Sequence, residues 1–102
     1  MEVLEDGYVY ELYHQENPGA EYLKFFHRGI VPNQDGIFEI ISEGISNEDV
    51  IEVLIHRMHF LQKQLPCKEN TKVISKLTEC LDLLDERTKD RQDRGVWGKL
   101  LP

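Results

Sequence analysis

Hydrophobic and polar positions alternate early in the chain and change period halfway along. Tyr8-Val9-Tyr10-Glu11-Leu12-Tyr13 is rich in aromatic and β-branched residues, Asn17-Pro18-Gly19 supplies turn chemistry, and Tyr22-Leu23-Lys24-Phe25-Phe26-His27 repeats the strand pattern. A second turn signal, Pro32-Asn33-Gln34-Asp35-Gly36, precedes Ile37-Phe38-Glu39-Ile40-Ile41. Gly and Asn there tolerate the positive φ that tight turns need. The pattern predicts a small antiparallel meander over about residues 8–42.

After Gly44 the period becomes helical. Ser46 is placed to cap the first amides of a helix, and Glu48 and Asp49 suit its positive end, so a first helix is expected over 47–64. Its apolar positions, Val50, Ile51, Val53, Leu54, Ile55, Met58, Phe60, Leu61 and Leu65, spread over roughly 220° of arc, about twice a simple amphipathic stripe. One neighbouring element cannot cover so wide an arc, and the surplus points to a subunit interface. Pro66 ends this helix. A second helix is expected from near Lys68 to Gly95, with Val73, Ile74, Leu77, Cys80, Leu81 and Leu84 on an arc of roughly 120°. Folded back on each other, the two form an antiparallel hairpin. The expected class is therefore α+β, one domain over 1–102, with a β-meander at about 8–42 and a helical hairpin at about 46–95.

Composition narrows what such a domain does. At 102 residues the chain is one domain's worth and buries roughly 60 to 70 % of its extended surface, so its core is small. No run approaches the roughly 20 apolar residues of a membrane span, and the N-terminus lacks a signal-peptide profile, so the expectation is a cytosolic protein. A net charge of -7 argues against nonspecific DNA binding, although a local basic patch is compatible with it. Cys67 and Cys80 have no metal or redox spacing and read as free thiols.

Arg87, Arg91 and Arg94 are spaced i, i+4 and i+7, which makes a cationic strip beside the second helix's apolar stripe. They could instead complement the negative helix end and pair with Glu86, Asp90 and Asp93. Arg57 falls near the middle of the first helix's apolar arc, where a charge calls for a carboxylate of this or another subunit, or a ligand. His56 and His59 lie off that arc with no third ligand placed nearby, so no metal site is expected. There is no Gly-rich phosphate loop, nucleophile motif or acid and base pair, so neither catalysis nor a cofactor is expected.

From Gly44 to Gly98 the chain reads Gly-Ile-Ser-Asn-Glu-Asp-Val, Ile-His-Arg-Met, Pro-Cys-Lys-Glu-Asn, Lys-Leu-Thr-Glu and Glu-Arg-Thr-Lys-Asp-Arg-Gln-Asp-Arg-Gly-Val-Trp-Gly. This half of the protein resembles the phage Thoeris anti-defence family of the first type, which shares a helical hairpin with the phage anti-CBASS sponge. The family pattern has Pro-Cys-Arg-Glu-Asn in the connection and Arg-Thr-x-x-Arg-x-x-Arg-Gly-Val near the end. The resemblance implies a non-catalytic sponge in the host bacterial cytoplasm that sequesters glyco-cyclic ADP-ribose, the signal made by a Thoeris TIR-domain enzyme. It also implies dimers assembling into hexamers and, in some members, separate pockets for cyclic di- or trinucleotides.

Carried over residue by residue, the resemblance makes Phe60 the aromatic that stacks on adenine, Asn70 the Asn of the connection, and Arg87 and Arg91 the phosphate-facing arginines. Arg94 matches the third arginine of the pattern. An aromatic plate and Arg forks suit a flat base and a diphosphate. Phe60 could equally be core packing, and Asn70 a helix N-cap. Lys68 stands where the family has Arg, which turns a bidentate phosphate contact into a point-charge contact and leaves the second pocket open. The family's Glu-Ala-Leu-x-Trp-Leu is here Glu79-Cys80-Leu81-Asp82-Leu83-Leu84, and Trp97 departs from its Gly-Val-Glu-Gly. Trp97 fits either a lid or an oligomer contact. Two other classes stay in view: an enzyme cleaving the nucleotide, and a phage protein whose arginine strip meets a host protein.

Overall fold

A computed structural model describes residues 1–30 and 38–97. They divide into two compact units, Met1–Ser46 and Asn47–Trp97. The class is α+β, an N-terminal antiparallel sheet followed by two helices in contact.

In the first unit, β1 (Glu2–Glu5), β2 (Val9–Tyr13) and β3 (Ala20–Lys24) form an antiparallel sheet in that order. Glu2 pairs with Glu11, and Glu11 with Tyr22, so three side chains line up across one face. The Tyr8 to Tyr13 run and the Asn17-Pro18-Gly19 turn act as the pattern predicted, and β1 was not foreseen. Its sequence, two glutamates around Val3 and Leu4, has little strand propensity of its own, and pairing with β2 decides it.

The meander also needs correcting. The run Tyr22–His27 is not one strand, because β3 ends at Lys24 and β4 (His27–Ile30) begins three residues later. β4 pairs with β5 (Phe38–Ser42) in a separate two-stranded sheet. The Pro32–Gly36 turn and Ile37 lie outside the described residues.

The break has a cause distant in sequence. Ile45 bridges Phe25 in parallel, donating its N–H to the Lys24 carbonyl at 2.9 Å and accepting from the Phe26 N–H at 3.2 Å. Gly44 makes this approach possible, since a Cβ there would overlap the Phe25–Phe26 backbone.

The second unit is a hairpin of α1 (Asn47–Gln64) and α2 (Lys68–Asp93), joined by three residues. So short a connection obliges the helices to run antiparallel. Half-buried positions along α1 include Ile51, Ile55, Met58 and Gln62. Along α2 they are Asn70, Ile74, Leu77, Leu81, Leu84, Thr88 and Arg91. Steps of four and three alternate in both helices, the spacing of a two-helix coiled-coil seam. Among the described residues no side chain is fully buried, so the seam is a narrow contact rather than a closed core. Val53 and Phe60 belong to the part of α1's wide arc that faces away from α2, Leu54 flanks the seam, and all three are exposed.

α2 stops at a Schellman motif. Gly95 adopts φ 71°, its N–H donates to the Gln92 carbonyl at 3.0 Å, and the Val96 N–H donates to the Arg91 carbonyl at 2.9 Å.

Candidate functional site

The connection end of the hairpin is held by side chains that the sequence did not single out. Gln62 donates its amide to Thr71 Oγ1 at 3.0 Å and accepts the Cys67 N–H at 3.0 Å, which ties the last turn of α1 to the first of α2. Cys67 is the N-cap of α2, its Sγ accepting from the Asn70 N–H at 3.4 Å. Both cysteines are free and exposed, as read. The cap role expected as one option for Asn70 therefore falls to Cys67, because the helix begins at Lys68 and places Asn70 in its first turn. The Asn70 side-chain amide makes no hydrogen bond among the described residues and is left available at a half-buried seam position. A Cys followed three residues on by Asn is a weak capping signal, and sulfur is a weak acceptor, so its role was hidden.

Phe60 lies on the outer face of α1 and is 53 % exposed, so within the chain it is not core packing. Lys68 opens α2 and is exposed as well.

The arginine end treats its three cations differently. Arg94 pairs with Asp90, its Nε and Nη2 each 3.0 Å from Oδ2. Arg91 is half-buried and donates Nη2 to the Val96 carbonyl at 3.1 Å, so it braces the Schellman turn. Both do what a cation at a helix C-terminus is expected to do. Arg87 does neither: it is exposed, with no hydrogen bond or ion pair among the described residues.

These two groups are not brought together within one chain. Asn70 and Arg87 stand 17 residues apart on one unbroken helix, roughly 26 Å at 1.5 Å per residue. The Gln62 to Thr71 bond puts these two residues level, so fifteen residues further Asn47 is level with Glu86. Arg91 and Arg94 extend past the start of α1. Phe60, Lys68 and Asn70 mark one end of the hairpin, and the arginines mark the other.

Heptad phase also gives the hairpin two unlike flanks. In an antiparallel pair, equivalent flanking positions of both helices meet on the same side. One side joins Leu54 and Leu61 of α1 to Val73 and Cys80 of α2 and ends at Arg87. The other carries Glu52, His56, His59 and Lys63 opposite Thr71, Thr78 and Asp85. Arg57 belongs with the apolar side and is exposed, with no hydrogen bond or ion pair among the described residues. The ion pair expected for it is not made within the described chain, because the acids of α1 (Glu48, Asp49, Glu52) sit around the helix from it.

Charge is divided just as unevenly. Residues 1–46 hold nine acidic and two basic side chains, a net -7, whereas residues 47–97 hold ten and nine, a net -1. The acidity of the whole chain thus belongs to the sheet unit, and the hairpin carries little net charge to repel an anion. Among the described residues no three His, Cys, Asp or Glu side chains come together as a metal site.

No family model matches the chain. It is similar to a protein of Bacillus phage SBSphiJ7 named Thoeris anti-defense 1, 41% identical over 58 residues. That segment is 56% of this chain and 41% of the relative, so the match spans about two fifths of the phage protein's length. The resemblance read from the motifs between Gly44 and Gly98 is borne out by this relative.

Proposed function

We propose that the chain is a phage anti-Thoeris protein that binds and sequesters the TIR-derived signal glyco-cyclic ADP-ribose in the host cytoplasm, without turning it over. The observation that carries this reading is the similarity to Thoeris anti-defense 1. Three features of the hairpin support it. Phe60 offers an exposed ring to a base, and among the described residues the Asn70 side-chain amide makes no hydrogen bond and the Arg87 cation makes no ion pair. These are the groups that an adenine and a diphosphate require.

The distance between the two ends makes the site a product of assembly. A second copy laid antiparallel along the apolar flank carries its Arg87 and Arg91 to the Phe60 and Asn70 of the first. The isologous contact then builds the site twice. The proposed state is a homo-oligomer, from dimer to hexamer. Cyclic di- and trinucleotides form a second ligand class under this reading, with Lys68 supplying a point charge in place of an arginine fork.

The test is purification from cells expressing a Thoeris TIR enzyme, followed by native mass spectrometry and heating. A bound nucleotide that returns intact supports sequestration. A cleaved product makes the protein an enzyme, and loss of effector activation with no ligand bound moves the function to a host protein.

A further inference from the structure

Arg57 is the one charge on the outward part of α1's apolar arc. Val53 and Phe60 stand one turn to either side of it, and Leu54 and Leu61 lie toward α2. Its guanidinium has no hydrogen bond, ion pair or ring contact among the described residues.

In a free chain such an arginine keeps its head in water and lays its stem over the neighbouring apolar groups. Once another copy covers the flank that water is removed, and an unmatched cation becomes costly. The flank supplies almost nothing to match it. Its α2 side offers Val73 and Cys80 at the centre, Asp90 is already held by Arg94, and Glu69 stands alone near the connection. A second copy applying the same face brings the same scarcity of carboxylates. Within this flank, therefore, the counter-anion has to come from outside the two hairpins.

Resting on the sequestration reading above, we infer that Arg57 is a further ligand-binding residue and forms a half-site with Phe60 on a single helix. The phenyl ring lies under the base and the guanidinium forks onto the adjacent phosphate. Residues at i and i+3 have Cβ atoms about 5–6 Å apart, and an arginine stem spans the step from a stacked base to its phosphate. Arg57 then meets the diphosphate from the side of the base, and Arg87 and Arg91 of the second copy meet it from the other. The ligand class is a nucleoside diphosphate, and a base without phosphates engages only half of the pair.

The experiment is calorimetric titration of glyco-cyclic ADP-ribose into the parent, Arg57→Ala, Arg57→Lys and Glu69→Gln chains, each with its mass measured by light scattering. Arg57→Ala is expected to bind about 10- to 100-fold more weakly at unchanged mass. Arg57→Lys should fall between, since it keeps the charge and loses the fork, and Glu69→Gln should bind like the parent. A parent that binds alongside an Arg57→Ala chain of equal affinity overturns the assignment of Arg57 alone. A drop in mass shared by Arg57→Ala and Glu69→Gln overturns it in favour of an ion pair between copies. A parent that binds nothing overturns the sequestration reading and this inference with it.

Discussion

Gln62 donates its side-chain amide to Thr71 Oγ1 across the connection, and that bond joins the last turn of α1 to the first turn of α2. With the Cys67 N–H donating to the same side chain, Gln62 also satisfies the N-cap amide of α2, which would otherwise seek its partner in water. Gln62→Ala removes both bonds. Each contributes about 0.5–1.5 kcal/mol, toward the lower end at an exposed site, so a loss of about 1 kcal/mol is expected. For a chain of this size that lowers Tm by about 4–8 °C, which thermal denaturation by circular dichroism would show. A Tm equal to the parent's would mean that the loop, and not this bond, holds the two turns together.

Arg87 and Arg91 differ in what they do for the fold, although they are one turn apart. Spacing alone places both beside the leucine stripe, which suggests that either can be removed without harm. The structure corrects this for Arg91, which continues the seam and donates to the Val96 carbonyl. Arg87→Ala should leave Tm unchanged and weaken binding of glyco-cyclic ADP-ribose about 10- to 100-fold. Arg91→Ala should lower both affinity and Tm. Identical behaviour of the two variants in paired titration and melting experiments would contradict this separation.

Leu54 is 41% exposed on the apolar flank and touches the question of assembly directly. Leu54→Glu introduces a charge where the proposed contact needs apolar area, while the seam with α2 is untouched. The variant should stay helical and shift toward monomer in light scattering at micromolar concentration. Because the site is completed by a second copy, ligand binding should fall with the mass. A variant that keeps the parent's mass would place the interface on another face.

Tyr13 donates its hydroxyl to Glu2 Oε2 at 2.9 Å, and this bond to a carboxylate, ahead of the other causes, raises its pKa from 10.0 to about 12. Tyr22 is also raised, chiefly by the charge of Glu11. The neutral phenol is the favoured form in the folded sheet. Its contribution is therefore fully present below pH 10 and is lost as pH rises from about 10 to 12. Spectrophotometric titration should show phenols ionising above their ordinary range, and Tyr13→Phe should remove the latest phase. Glu2→Gln should bring the phase down toward the ordinary value.

Sequence by itself determined the helical half of the protein, because helix formation and termination depend on neighbours a few residues away. Pro66, Gly95 and the apolar period fixed where α1 and α2 run, and the residues between Gly44 and Gly98 carried the relationship to the phage protein. The excess width of α1's apolar arc was equally legible, since it needs only the 100° step between residues. Tertiary structure decided what depends on residues distant in sequence. β1 exists because β2 offers it a ladder, and the strand from Tyr22 ends at Lys24 because Ile45 and Gly44 come in beside Phe25. Pairing likewise chose among cations that look alike in the sequence, giving Arg94 to Asp90 and Arg91 to the Val96 carbonyl while leaving Arg57 and Arg87 exposed. Spacing puts charges on a face. Only the packed chain, through the distance each side chain can reach, decides which of them are neutralised and which remain to meet a ligand.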